Sequence, residues 1–156
     1  MLSVIALDPQ PEELVLDLFA SPGSKTTQMA AKMEGSGTIV ANELNLGRLS
    51  VLVSNLEKTG VTNAIVSRKD AVALCNNLSK SNFPKFDKIL LDVPCSGEGT
   101  IRSTPKTLIQ WNPNTVNNLS RLQKKFFASA LKCLKKDGTI VYSTCTHAPE
   151  ENEEIV

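Results

Sequence analysis

The chain has 156 residues, 41% of them hydrophobic, enough for one domain that buries roughly 70% of the surface its unfolded form exposes. A net charge of +1 excludes the strongly basic footprint of a dedicated nucleic-acid-binding domain, so any affinity for RNA must be local or supplied elsewhere. Cysteines 75, 95, 133 and 145 lack paired or metal-type spacing, which points to reduced thiols in a cytoplasmic protein and against zinc, and no apolar run reaches the ~18 residues of a membrane span.

The first ten residues lack a basic start and meet Asp8 and Pro9 too early for a signal core. Residues 14–20 predict a buried strand closed by Ser21-Pro22-Gly23, and a helix follows over residues 25–34 until Gly35 and Gly37 stop it. Residues 38–43 predict a second strand. Residues 46–58 carry Leu49, Leu52, Val53 and Leu56 at helical spacing and end at Gly60 as a C-terminal cap. Residues 64–70 predict a third strand and residues 88–93 a fourth. Residues 119–134 predict a long amphipathic helix with Leu122, Phe126, Ala130 and Leu134 on one face, and residues 139–145 a fifth strand. Without repeats or low-complexity linkers, this alternation predicts a single α/β domain over residues 1–156, a mostly parallel sheet with helices on both faces.

Open sheets of this kind bind ligands outside the carboxyl ends of their strands, where strand order reverses. Asp17, the turn Phe19-Ala20-Ser21-Pro22-Gly23-Ser24-Lys25, Glu43, Asp70, Asp92 and Thr144-Cys145 all fall on that rim. Residues placed only for core packing have no reason to gather there. The small residues of the turn let backbone N–H groups approach a ligand, and the helix start favours an anionic group such as a carboxylate. The turn is neither a G-x-G-x-x-G nor a Walker loop. Glu43 suits the two hydroxyls of a ribose and Asp70 an adenine amino group, so the rim predicts a nucleoside with a charged tail. Taken singly, each acid reads equally as a solvated loop residue; their shared rim favours binding.

The stretches Asp92-Val93-Pro94-Cys95-Ser96-Gly97 and Ser143-Thr144-Cys145-Thr146 each close a predicted strand and put Cys95 and Cys145 at the edge of one sheet. Few reactions need two thiols without a metal or a disulfide. Methylation of cytosine carbon 5 in RNA is one: a thiolate adding to carbon 6 turns the ring into an enamine able to attack a methyl sulfonium. A second thiol or a base then assists loss of the carbon 5 proton and release of the enzyme. Asp92 is placed to hydrogen-bond the N3 or N4 edge of the ring, and Lys25 to lower a thiol pKa from its ordinary ~8.5. Cys75 and Cys133 fall in helical patterns and read as small core hydrophobes.

These stretches resemble the NOL1/NOP2/Sun family of RNA cytosine-5 methyltransferases over residues 7–156. The family turn A-P-G-G-K-T is met by Ser21-Pro22-Gly23-Ser24-Lys25-Thr26, its D-A-P-C-S-G by residues 92–97, and its S-T-C-T by residues 143–146, followed by Glu150-Glu151-Asn152-Glu153. The resemblance implies a Rossmann-like fold, S-adenosylmethionine as cofactor, RNA as partner, Cys145 as nucleophile and Cys95 as the thiol that assists release. DNA cytosine-5 methyltransferases attack through the P-C cysteine, and the sequence leaves that reversed assignment open. The P-G-S-K-T-T-Q turn and Cys-Ser-Gly-Glu-Gly at 95–99 are most similar to the bacterial small-subunit methyltransferase F branch, which implies ribosomal RNA first and transfer RNA second.

Family members carry RNA-binding sequence before this core and further strands after it. The chain is therefore expected to be a fragment truncated after the fifth strand, either an active core or a cofactor- or RNA-binding piece without turnover. Its open edge beside strand five predicts marginal stability or self-association. A small-molecule or protein methyltransferase of the same sheet type would need neither Cys95 nor Cys145. Arg102 and Lys106 are candidates for RNA phosphates and Trp111 for stacking a splayed base, although Trp111 reads first as a core or lid residue. Lys124, Lys125, Lys135 and Lys136 read as a solvated helix face and its end.

Overall fold

Alternating apolar segments and amphipathic stretches fold into one five-stranded sheet in the computed structural model, which describes the backbone of residues 1–156 and every side chain except that of Gln110. The strands are β1 (Leu14–Asp17), β2 (Thr38–Asn42), β3 (Ala64–Ser67), β4 (Phe86–Asp92) and β5 (Leu134–Ser143). All pair in parallel, in the order β3-β2-β1-β4-β5, so strand order reverses between β1 and β4. Leu16 sits between Val40 and Ile89, and Asp17 between Ala41 and Leu90, which sets Asp17 at the carboxyl end of the central strand.

Helices α1 (Leu2–Leu7), α2 (Ser24–Lys32), α3 (Leu46–Lys58), α4 (Ala71–Lys80) and α6 (Pro113–Leu131) cover the sheet, and the short α5 (Lys106–Gln110) lies in the segment between β4 and α6. Because successive strand residues point to opposite faces, β1 feeds two cores. Leu16 packs with Ile89, Leu91 and Phe86 against Leu74 of α4 and Phe126 and Ala130 of α6. Val15 packs with Ile39 and Leu90 against Val4 and Leu7 of α1 and Met29 and Met33 of α2, while Ala41 meets Leu52 and Leu56 of α3. This is the expected parallel sheet with helices on both faces. Among the described residues no helix is long and apolar enough to cross a membrane, and no group of His, Cys, Asp and Glu is placed to hold a metal ion.

Several boundaries differ from the sequence reading. β1 ends at Asp17 and β3 at Ser67, since residues 18–20 enter the turn toward α2 and Asp70 caps α4. α6 starts at Pro113, with the Asn112 side chain accepting from the Thr115 N–H, rather than at residue 119. Leu134, expected on its face, instead opens β5. That strand begins well before residue 139, pairs irregularly with β4 between Phe86–Leu134 and Lys88–Thr139, and leaves Cys145 in the loop beyond Ser143.

Candidate active site

The carboxyl rim of the sheet opens on a cleft of about 750 Å3, inside the roughly 300–1,000 Å3 range of small-molecule sites. Phe19, Leu44, Pro94 and Phe126 give it apolar walls, and Glu43, Arg68 and Asp70 give it polar edges. Phe19 is set by a tilted contact with Phe126, ring centroids 4.8 Å apart. Glu43 is nearly buried; its Oε1 accepts from the Asn45 N–H at 2.8 Å and its Oε2 lies 3.5 Å from Arg48 Nε. Those bonds fix its orientation and leave lone pairs for further donors. Asp70 is the N-cap of α4, with Oδ1 accepting from the Ala73 N–H at 2.9 Å, so one of its oxygens is committed to the helix. An apolar slot flanked by two carboxylates has the chemistry an adenosine needs.

The turn between β1 and α2 is held against α3. Ser21 Oγ donates to the Arg48 carbonyl at 2.8 Å, Arg48 Nη2 donates to the Ser21 carbonyl at 2.9 Å, and Asn55 Nδ2 donates to the Pro22 carbonyl at 2.8 Å. Gly23 caps α2 at φ +109°, where an added Cβ would stand 3.1 Å from Leu52 Cδ1, so only glycine fits. No side chain caps α2, which leaves its first N–H groups open to a ligand. Of the turn residues, Phe19 lines the cleft, whereas Ala20, Ser21, Pro22, Gly23, Ser24 and Lys25 do not. The Ser21 hydroxyl is engaged by α3, so any contribution of this turn to a ligand comes through its backbone.

Beyond β4 and β5 the two thiols meet. Cys95 Sγ and Cys145 Sγ are 3.1 Å apart, and the Cys145 N–H donates to Cys95 Sγ at 3.2 Å. Together with Thr107, Trp111, Thr115 and Leu119 they line a pocket of about 300 Å3. Burial, reinforced by the bond to Cys145, pushes the Cys95 thiol up to about 12. Cys95 therefore keeps its proton at neutral pH and is able to donate it to the neighbouring sulfur. The loops carrying the thiols are drawn together by Gly99, whose N–H donates to the Cys145 carbonyl at 2.9 Å; a Cβ there would lie 2.9 Å from that oxygen.

A buried pair braces the Cys95 loop from behind. Gln123 Nε2 donates to Glu151 Oε2 at 2.7 Å and to the Pro94 carbonyl at 2.9 Å, and the Ser96 N–H donates to the same carboxylate at 3.1 Å. Asp92 is fixed from both sides, by Lys25 Nζ at 2.5 Å on Oδ2 and by Ser143 Oγ at 2.8 Å on Oδ1. The expected lowering of a thiol pKa by Lys25 is not what the geometry gives: the lysine is paired with Asp92, and the Cys95 thiol is raised. Nearby, buried Asp17 accepts from Thr26 Oγ1 at 2.7 Å on one oxygen while the other has no partner, and burial, with the Asp92 charge, pushes its carboxyl up to about 6.

The structure thus brings Phe19, Glu43 and Asp70 to one cleft and Cys95, Cys145 and Trp111 to the next, with Lys25 and Asp92 on the same rim. Arg102 and Lys106 are exposed on the segment between Cys95 and α6. Cys75 and Cys133 are buried core thiols, Cys133 Sγ donating to the Cys75 carbonyl at 3.1 Å. Sequence reasoning gave no role to Ser143, Gln123, Glu98 or Glu151. The one signal for Gln123 was a polar residue on the apolar face that includes Phe126.

The family described as 16S rRNA methyltransferase RsmB/F matches residues 4–156. The chain is 45% identical over 156 residues to a tRNA (cytosine(49)-C(5))-methyltransferase from Pyrococcus abyssi, covering 100% of this chain and 49% of that protein. It is 44% identical over 141 residues to ribosomal RNA small subunit methyltransferase F from Vibrio cholerae, covering 90% of this chain and 29% of that protein. The solved structure of NSun6 from Pyrococcus horikoshii with SFG superposes with a TM-score of 0.88 at 34% identity, covering 97% of this chain and 38% of that one. The chain spans about half the length of the first of these relatives and under a third of the second.

Proposed function

The chain belongs to the RsmB/F family of 16S rRNA methyltransferases, and from that footing we propose that it is the catalytic core of an S-adenosylmethionine-dependent enzyme that methylates cytosine carbon 5 in RNA through a covalent adduct on Cys145. The observation that carries this reading is the contact of two thiols at 3.1 Å beside a nucleoside-shaped cleft. Pro94 lines the cleft and its neighbour Cys95 lines the thiol pocket, so donor and acceptor sites adjoin across one peptide bond.

S-adenosylmethionine supplies an electrophilic methyl group when bound. Phe19 and the apolar walls suit its adenine, Asp70 the adenine amino group, Glu43 the ribose hydroxyls, and the uncapped start of α2 formed by Gly23, Ser24 and Lys25 the carboxylate. SFG, an analogue of that cofactor, accompanies the NSun6 relative. In the thiol pocket Cys95 and Cys145 share a hydrogen bond, and Cys145, the exposed thiol of the two, is the one open to attack carbon 6. Asp92, held by Lys25 and Ser143, hydrogen-bonds the amino edge of the ring as electrons move onto it. Once carbon 5 has taken the methyl group, its proton passes to solvent at the exposed thiol, the C5–H pair re-forms the C5–C6 double bond, and the carbon 6–sulfur bond breaks with its pair returning to Cys145. Cys95 assists that release by hydrogen-bonding the departing sulfur.

Ribosomal RNA is the preferred substrate, by likeness to the Vibrio cholerae relative, and the Pyrococcus abyssi relative favours transfer RNA as the second reading. Four free cysteines suit a reducing compartment such as the cytoplasm. The test is to incubate the protein with methyl-labelled S-adenosylmethionine and transcripts of both RNA classes, then digest and identify the labelled nucleoside by mass spectrometry. Label in 5-methylcytidine from ribosomal RNA is expected. Cofactor binding by calorimetry with no label transferred would overturn the enzymatic reading in favour of a binding module.

A further inference from the structure

Trp111 walls two cavities. One is the thiol pocket; the other, of about 360 Å3, lies beside it and is closed by the apolar side chains of Pro113, Val116 and Pro149 and edged by Glu98, Asn117 and His147. The proposed reaction uses the first cavity and gives the second no role. Trp111 is 39% exposed, so a large flat ring is left partly uncovered at the junction.

The chemistry of the second cavity selects its occupant. Glu98 and Glu150 line it and no described Lys or Arg does, which disfavours a phosphate. An indole with proline and valine beside it suits a nucleobase, because stacking needs only a π-face. The Glu98 carboxylate is held in place: its Oε2 accepts from the His147 N–H at 3.2 Å and from Thr146 Oγ1 at 3.3 Å. A fixed carboxylate accepts two parallel hydrogen bonds well. Among the four RNA bases, guanine alone presents two adjacent N–H donors, N1–H and N2–H, on one edge.

We propose that this cavity binds the nucleoside adjacent to the target cytosine, with guanine preferred, its ring against Trp111 and its N1–H and N2–H on Glu98. The inference rests on the reading of the adjoining thiol pocket as the site for a cytosine in RNA. It makes Glu98 a specificity-determining residue, and it places sequence preference within the core itself.

Trp111 is the one tryptophan in the chain, so intrinsic fluorescence reports on this wall alone. The protein is titrated with single-stranded RNA pentamers that carry one cytosine flanked by guanine, adenine or uracil, first on its 3′ side and then on its 5′ side. Quenching is expected with about ten-fold tighter binding for guanine on one side, the scale of one bidentate base contact. Glu98→Gln should retain quenching and lose the preference. Equal binding of all pentamers by the wild-type protein overturns the proposal, as does a guanine preference that survives Glu98→Gln. Methyl transfer is not read in this titration. A guanine preference lost in the variant supports the site even if 5-methylcytidine never forms, whereas turnover without any preference overturns the site and leaves the reaction standing.

Discussion

Cys95 and Cys145 touch, yet their surroundings differ. Cys95 is partly buried and its thiol is pushed up to about 12, whereas Cys145 is exposed. Iodoacetamide at neutral pH should therefore alkylate Cys145 before Cys95, because the thiolate is the reacting form; peptide mapping by mass spectrometry checks the order, and preferential labelling of Cys95 would contradict it. Asp17 carries a second pH signature. Its carboxyl is raised from 3.8 to about 6 in the folded chain, so between those values the folded state holds more protons than the unfolded one. Stability should accordingly fall as pH rises through that window, by up to about 3 kcal/mol, and stay flat above it. Asp17→Asn keeps an acceptor for Thr26 and should remove the dependence, as measured by urea midpoints across acid to neutral pH. At this scale the thiols, Asp92 and Glu43 were legible as residue types at strand ends. The partnership of Lys25 with Asp92 was not, because it joins positions that only the switch between β1 and β4 brings together.

The loop after β4 owes its shape to an element distant in sequence. Gln123 on α6 and Glu151 in the final turn hold Pro94 and Ser96 from the buried side. Gln123→Leu leaves the Glu151 carboxylate short of a donor in a buried site and should cost about 1–3 kcal/mol in urea unfolding; an unchanged midpoint would show that the brace is not structural. Elements with clear periodicity, β2 and α3, were read from sequence with bounds within a residue of those observed. α1 was not, since six residues with two buried side chains and no side-chain cap give too little pattern. The turn at Asp70 was misassigned to β3 because an N-capping aspartate also ends an apolar run. β5 starts early for a tertiary reason: Lys135 and Lys136 read as a solvated helix end, but they lie between the Phe86–Leu134 and Lys88–Thr139 pairs, where Lys135 meets Asp87.

As a whole the molecule sets two cavities on one rim of a parallel sheet, joined at the Pro94–Cys95 peptide. The same sheet leaves β5 paired on one side only among the described residues, with Ile140 and Tyr142 partly exposed along it. An open strand edge of this kind is a template for pairing with another copy, so sedimentation velocity should show association that grows with protein concentration; a single monomeric species throughout would contradict this. The proposed chemistry depends on both cavities acting on one ring, and the most direct measurement is covalent trapping. The protein is mixed with S-adenosylmethionine and RNA containing 5-fluorocytosine, whose fluorine blocks the final elimination, and the adduct is sought by denaturing electrophoresis for the wild type, Cys145→Ala and Cys95→Ala. The account predicts an adduct in the wild type and in Cys95→Ala and none in Cys145→Ala. An adduct lost only in Cys95→Ala would reverse the roles of the two thiols, and one that persists in both variants would contradict thiol catalysis altogether.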